Sequence, residues 1–428
     1  MVDIKLIRTE TAYVKEAVRK KGLDLDDTID RLLQVDTERR AFGSALDAKK
    51  AEQNAVSKKL PVLRKNGEDV TELMARMKTL AAEIKQDDAR LAEIEEEYQQ
   101  LMCCLPNLPD DDLEAGGKEN NKPVRFFGEQ PVFDFQPKNH VELCESLGLI
   151  DYERGAKIAG NGSWIYRGMG ARLEWALLNY FITEHINDGY ELILPPHMLG
   201  YTCGYVAGQF PKFTDEVYWI ANPTSNDKRF LLPTAETALV NLHRNEILSA
   251  DELPKKYIAY TPCYRREAGS YRAEERGMIR GHQFNKVEMV QYTAPDQSDK
   301  AFEELVGKAE RLLQKLGLHY RLSKLAAADC SFSMARTYDV EVWIPSMGIY
   351  KEVSSASNAR DYQARRGNIK MRGADGKLQL VHTLNASGLA TSRVLPAIVE
   401  QCQNADGSVT VPEALRPFMG GVEKITKA

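Results

Sequence analysis

A seven-residue grammar between residues 27 and 104 constrains this chain more than any other feature. Its second half sets Leu73, Met77, Leu80, Ile84, Leu91, Ile94, Tyr98 and Leu101 at alternating steps of four and three, with Asp87 filling one slot. That spacing is the a/d seam of a coiled coil. The first half keeps the pattern less strictly. Leu32, Val35, Phe42, Leu46, Val56 and Leu60 hold it, with Arg39, Lys49 and Gln53 in the intervening slots. Between the halves lies Lys65-Asn66-Gly67-Glu68-Asp69, and Asn-Gly is a turn signal. The pattern predicts two long helices folded back as an antiparallel hairpin. Forty helical residues reach roughly 60 Å. Pro61 is expected to end or kink the first helix.

Charge is divided between the two helices. Residues 38–65 carry eight bases (Arg39, Arg40, Lys49, Lys50, Lys58, Lys59, Arg64, Lys65) against three acids. Residues 66–104 carry ten acids against four bases, with Glu93, Glu95, Glu96 and Glu97 near the base of the hairpin. A solvated coiled-coil surface accounts for such a pattern. A rod whose first helix meets a phosphate backbone accounts for it equally well. The chain as a whole carries a net charge of −5, so a polyanion partner is not advertised globally and any basic patch is local.

Leu105-Pro-Asn-Leu-Pro, Gly116-Gly117 and Pro123 then read as a linker over 105–125. This places a helical arm at 1–104 and a second domain, of mixed helical and β-like runs, at 126–428. The seven cysteines form no CxxC pair, so a zinc site is not expected and a reducing compartment fits best. No apolar run of 18 residues suits a membrane span, and the N-terminus has no signal-like apolar core. A cytoplasmic location is expected.

The chemistry is read from residues 257–290, a long β-hairpin with a polar loop at 268–277. Strand alternation puts Arg280, His282, Phe284, Lys286 and Glu288 on one face, and Arg265 and Glu267 share a face on the other strand. Unpaired charges are costly to bury, so such a face is either solvated or a binding floor. The long loop, and a Phe among the charges, favour a binding floor.

These residues resemble a known family. Tyr264-Arg-Arg-Glu-Ala-Gly-Ser270 followed by Arg276-Gly-Met-Ile-Arg-Gly-His-Gln-Phe284 is similar to motif 2 of class II aminoacyl-tRNA synthetases, in the form found in seryl-tRNA synthetases. Thr234-Ala235-Glu236 resembles that family's TAE segment. Glu352-Val353-Ser354-Ser355 and Ala364-Arg365-Arg366 resemble its ExSS and QARR segments. Leu384 through Arg393 resembles motif 3, Gly189 to Pro196 fits motif 1, and the hairpin matches the family's tRNA-binding arm. One motif alone is a weak signal. The ordered set is specific and covers essentially the whole chain.

The resemblance implies an α+β protein: a two-helix coiled-coil arm plus a catalytic domain on an antiparallel sheet flanked by helices. It implies ATP-dependent activation of L-serine to seryl-adenylate, then transfer to the 3′ end of tRNA(Ser), and to tRNA(Sec) where that tRNA exists. A homodimer is implied through motif 1. Arg265 would bridge the serine carboxylate and the α-phosphate, which a guanidinium fork suits. Phe284 would stack on adenine, Arg393 would face the γ-phosphate or cover the ring, and Glu267 would contact adenine or its loop. Arg266, Val353 and Ser354 complete the ATP-binding set. Glu352 would hold Mg²⁺ with Ser355 beside it. Thr234, Ala235, Glu236, Glu288, Asn385 and Ser387 would bind serine. Lys49, Lys50, Lys58, Lys59 and Arg64 would meet tRNA. His282 is expected to be structural, and Cys263 and Cys330 to be packing residues. Thr234 and Ser387 also suit helix capping.

Three positions depart from the family pattern. Ala386 stands where Gly is usual and is expected to narrow the pocket. Ala356 replaces a usual Cys or Thr, and Pro396 lies inside the expected motif 3 helix. Two other readings stay open: a specialised or inhibitor-resistant seryl-adenylate-forming paralogue, and a non-catalytic tRNA-binding paralogue. The presence of Arg265, Glu352 and Arg393 argues against the second.

Overall fold

Two helices realise the heptad seam in the computed structural model of the protein, which describes residues 1–221, 227–267, 277–373 and 375–427. They are α1 (Asp26–Lys65) and α2 (Thr71–Cys104). Asp26 and Asp27 open α1, and Arg64 and Lys65 close it, each sign complementing the helix dipole. Gly67 turns the chain at φ +77°, and Asp69 accepts from the Thr71 amide and hydroxyl at the start of α2. Leu46, Leu80 and Ile84 are buried between the helices. The polar residues in the seam find partners inside it. Lys49 bonds Asp87 at 2.7 Å, and the Arg39 guanidinium lies 4.3 Å from the Tyr98 ring centre. Pro61 does not end α1, which continues to Lys65. Its missing N–H removes one i→i−4 bond, and the helix runs on for four more residues.

The chain divides into two compact units: residues 2–19 with 23–106, and residue 1 with 20–22 and 107–428. Part of the stretch expected to be a linker is built into the larger unit. Asn107 is buried there, bonding the Ser333 and Ala359 carbonyls, and Lys122–Phe127 forms an edge strand.

The larger unit is organised on an eight-stranded sheet. Its strands are β1 (Lys122–Phe127), β2 (Glu191–Leu192), β3 (Lys255–Tyr264), β4 (Gln283–Thr293), β5 (Tyr320–Lys324), β6 (Arg336–Ile344), β7 (Ile349–Arg360) and β8 (His382–Ala390). Their spatial order is β1-β5-β6-β7-β8-β4-β3-β2. Every neighbouring pair is antiparallel except β2 with β3. One face carries Val287, Met289, Val340, Val342, Leu384 and Ala386. These pack with helices α3 (Gly168–Asn187), α4 (Ser298–Leu316) and α5 (Thr391–Gln401) into the main core. Pro396 lies within α5 and is buried without interrupting it. Among the described residues, no helix is long and apolar enough to cross a membrane.

Candidate active site

The opposite face of the sheet floors a cleft of about 1180 Å³. That exceeds the roughly 300–1,000 Å³ of a pocket for one small molecule. The expected hairpin forms, with Gln283 of β4 opposite Tyr264 of β3. Its loop at 268–276 lies outside the described residues. Regular alternation brings Phe284, Lys286 and Glu288 to the cleft while Val287 and Met289 enter the core.

Two bulges adjust the other strands. Val340 of β6 faces Ser354 of β7, yet the next residue, Glu341, faces Glu352. Val353 is therefore an extra residue, and it resets the alternation so that Glu352 and Ser355 both line the cleft. A second shift follows Ser387 on β8, which pairs with Glu288, while Lys286 pairs with Ala390. Asn385, Ser387 and Ala390 thus all reach the cleft, just before Arg393 on α5.

At one end the polar groups form a closed set. Glu236, at the start of the short helix Glu236–Leu239, accepts from Gln363 Nε2 at 2.8 Å and from Asn385 Nδ2 at 3.3 Å. Asn385 also donates to Glu288 Oε1 at 3.0 Å. Lys286 pairs with Glu288 at 2.5 Å and donates to Thr234 Oγ1 at 2.8 Å. The Thr234 hydroxyl also accepts from the Glu236 amide, but Thr234 does not cap the short helix, whose N-cap position is Ala235. Burial first, then the Glu288 charge, pushes the Glu236 carboxyl up to about 7. A buried carboxylate with amides for neighbours, and no ion pair of its own among the described residues, is an electrostatic vacancy for a small cation.

At the other end lie a flat surface and positive charge. The Arg265 guanidinium sits 5.1 Å from the Phe284 ring centre, and its Nε donates to the Pro233 carbonyl. Glu267, held at φ +50°, accepts from Arg280 Nε at 2.6 Å. Arg393 donates to the Glu352 carbonyl at 2.7 Å. Below them, burial first, then the Glu352 charge, holds the Asp339 carboxyl well above the usual carboxylate range. The Glu352 carboxylate and the Ser355 hydroxyl are hard oxygen donors on one wall, a set that fits Mg²⁺. Among the described residues, no three His, Cys, Asp or Glu side chains converge as a metal cage.

The cleft gathers most of the residues expected from the sequence: Thr234, Glu236, Arg265, Glu267, Phe284, Glu288, Glu352, Val353, Ser355, Asn385, Ser387 and Arg393. Three are placed elsewhere. Ala235 packs into a hydrophobic cluster with Leu239 and Tyr257. Arg266 is exposed and donates to the Asp215 carbonyl, and Ser354 donates to the Ser387 carbonyl. Ser387 lies within β8, four residues before α5, and does not cap that helix. Ala386 does not narrow the cleft. Its side chain enters the main core on the helix side of β8, directly opposite Ala356 of β7. Two of the three departures from the family pattern are thus cross-strand neighbours. His282 Nδ1 lies 3.2 Å from the Arg265 carbonyl, and burial raises the thiols of Cys263 and Cys330 away from thiolate chemistry.

Sequence reasoning gave no role to Gln363, Lys118 or Asn121. Gln363 is buried behind Glu236, and Lys118 and Asn121 line the cleft from the stretch expected to be a linker. Gln363 opens the QARR-like segment, a signal that could have found it, whereas nothing local marks Lys118 or Asn121. On the arm, Lys49 and Lys50 bond Asp87 and Asp88, each at 2.7 Å. Lys58 and Lys59 are exposed and have no ion pair among the described residues, and Arg64 lies against the Met74 sulfur.

Comparison with known proteins follows the same division. Residues 1–109 match the family described as "Seryl-tRNA synthetase N-terminal domain". Residues 218–402 match "tRNA synthetase class II core domain (G, H, P, S and T)". Serine–tRNA ligase 2 of Clostridium acetobutylicum is 60% identical over 98% of this chain and 99% of that protein. Serine–tRNA ligase of Thermodesulfovibrio yellowstonii is 45% identical over 98% and 99%. The crystal structure of seryl-tRNA synthetase from Pyrococcus horikoshii complexed with ATP superposes with a TM-score of 0.90 at 32% identity, covering 100% of both chains.

Proposed function

The chain belongs to the seryl-tRNA synthetase family, and on that premise we propose that it activates L-serine with ATP and transfers it to tRNA(Ser). The observation that carries this reading is the pairing of the two cleft ends. One offers a cation vacancy at Glu236 with hydroxyl-binding groups beside it. The other offers Phe284 and two arginines to a nucleotide.

Activation joins two anions. A serine carboxylate oxygen attacks the α-phosphorus of ATP, the new P–O bond forms, and pyrophosphate leaves. Catalysis of this kind rests on positioning and charge neutralisation. Arg265 neutralises both reactants at their meeting point, and its stacking on Phe284 fixes it beside the adenine. Arg393 faces the outgoing phosphates. Glu352 and Ser355 would hold Mg²⁺, which neutralises phosphate charge when bound. Glu236 takes the serine ammonium. Glu288, oriented by Asn385 and Lys286, accepts the serine hydroxyl. A site built to bond a hydroxyl rejects the analogue lacking it by about 10⁴–10⁵. In the second step the 3′-terminal ribose hydroxyl attacks the seryl carbonyl and AMP leaves.

Exposed Lys58 and Lys59 support the reading of α1 as a tRNA contact. tRNA(Sec) as a second acceptor and the cytoplasm as location belong to the same reading. A homodimer is supported by exposed apolar residues along α3 and after β2, with Trp175 55% and Leu194 76% exposed. The retention of Arg265, Glu352 and Arg393 in one cleft weighs against a non-catalytic paralogue. Amino-acid-dependent ATP–pyrophosphate exchange tests the function. Exchange with serine but not alanine, followed by charging of serine tRNA, is expected. An absence of serine-dependent exchange would end this reading.

A further inference from the structure

The helix α3 carries a carboxylate that the catalytic reading does not use. Glu174 is buried beneath the sheet, on the helix side. Its Oε1 accepts from Asn285 Nδ2 at 2.7 Å and from Thr391 Oγ1 at 2.5 Å. The Thr391 hydroxyl also lies 3.2 Å from the Asn285 carbonyl, which closes a triangle. The Tyr166 hydroxyl is buried close to the same carboxylate. Burial pushes the Glu174 carboxyl up to about 7, against the pull of these donors.

The positions of the two donors matter. Asn285 points down from β4 between Phe284 and Lys286, which point up into the cleft. Thr391 is the first residue of α5, two before Arg393, and Ala390 before it makes no side-chain cap. Glu174 therefore joins the start of α5 to the Asn285 side chain of β4, beside the direct bond from the Thr391 hydroxyl to the Asn285 carbonyl. Burying a carboxylate is costly unless hydrogen bonds compensate it, and here those bonds come from β4 and from the start of α5.

We propose that Glu174 is a positioning residue for ATP, its Oε1 fixing the Phe284 platform and the Arg393 guanidinium at a set separation. This rests on the reading of Phe284 and Arg393 as the nucleotide grip. Losing the anchor lets α5 and β4 drift, and a small misplacement is felt where the nucleotide is clamped, not where serine is held.

Steady-state pyrophosphate exchange on the full chain separates the two substrates. Glu174→Leu is expected to raise the ATP KM about tenfold with the serine KM within about twofold. Thr391→Val removes one donor without changing volume, and about a fivefold rise is expected. Glu174→Gln keeps an accepting oxygen and is expected to restore most of the ATP affinity. If Glu174→Leu does not fold, Thr391→Val decides. An unchanged ATP KM in Thr391→Val overturns the proposal, as do equal rises in both KM values, which mark a general loss of structure. Phe284→Ala is the control for the underlying reading. An unchanged ATP KM in that variant removes the nucleotide grip itself, whatever the Glu174 variants do.

Discussion

Asp36 on the arm and Glu236 in the cleft are both buried carboxylates, and their surroundings treat them in opposite ways. Burial alone pushes Asp36 up, but Arg8 bonds both its oxygens at 2.7 and 2.8 Å, with Arg39 and Arg40 close by, and the carboxyl ends below its usual range. Glu236 has neutral amides as its bonding partners and a second carboxylate, Glu288, as a near charge. It ends at about 7. The arm carboxylate is compensated within the fold. The cleft carboxylate has no ion pair of its own among the described residues, as its proposed contact with a serine ammonium requires. A residue that serves the structure is neutralised by the structure, whereas one that serves a substrate is kept incomplete.

The hardest test of this contrast is made on the anion side of the cleft. Arg265→Ala is expected to cut serine-dependent pyrophosphate exchange by about 10³ or more, with an unchanged far-ultraviolet spectrum. Near-parental exchange would remove Arg265 from the chemistry. Next comes the cation side. Glu236→Gln should raise the serine KM by about 10² while leaving the ATP KM alone, and its melting temperature should not fall. A clear drop in stability would mean that Glu236 is compensated after all and the contrast is false. Asp36→Asn should do the reverse. It leaves three guanidinium groups facing a neutral amide, but these are partly exposed, so a loss of about 1–3 kcal/mol in urea unfolding is expected. Exchange activity in this variant should be parental.

A pH series sharpens the comparison. The proposed contact of Glu236 with an ammonium needs the ionised carboxylate, so on that reading the serine KM should rise as pH falls below about 7, approaching tenfold per unit. Stability runs the other way. Between its ordinary range and about 7 the folded Glu236 keeps a proton that the unfolded chain has released, so its contribution to stability is lost as pH rises through that window. A serine KM that stays flat from pH 6 to 8 would mean that Glu236 does not meet the ammonium. The smallest effect belongs to the arm surface. Lys59→Gln removes an unpaired charge and is expected to flatten the salt dependence of tRNA binding by about 0.7–0.9 in slope. Lys50→Gln removes one already engaged by Asp88 and is expected to change the slope less. Equal changes in both would show that the intramolecular pairs yield to phosphate.

The arm was legible because every heptad slot reports on one contact seam, and even its exceptions obeyed it: Lys49 and Asp87 occupy facing slots and bond each other. Of the two outcomes expected of Pro61, an end to α1 is excluded, because the helix continues to Lys65. In the cleft, Phe284, Lys286 and Glu288 could be placed by alternation because β4 is regular there. The joint placement of Glu352 and Ser355 could not, because it depends on the bulge at Val353, which only the partner strand reveals. Ala386 was read as a pocket residue, yet strand alternation and its neighbour Ala356 assign it to the core.

The amino-acid sequence by itself determined the arm, the hairpin and the identity of the groups available for chemistry, since periodicity and residue type are local properties. The tertiary structure decided which of those groups are charged, compensated or left incomplete. Glu236 meets Gln363 and Asn385, and Glu174 meets Asn285 and Thr391, each across more than a hundred residues of chain. The desolvation that gives each carboxylate its character comes from packed layers no local window contains.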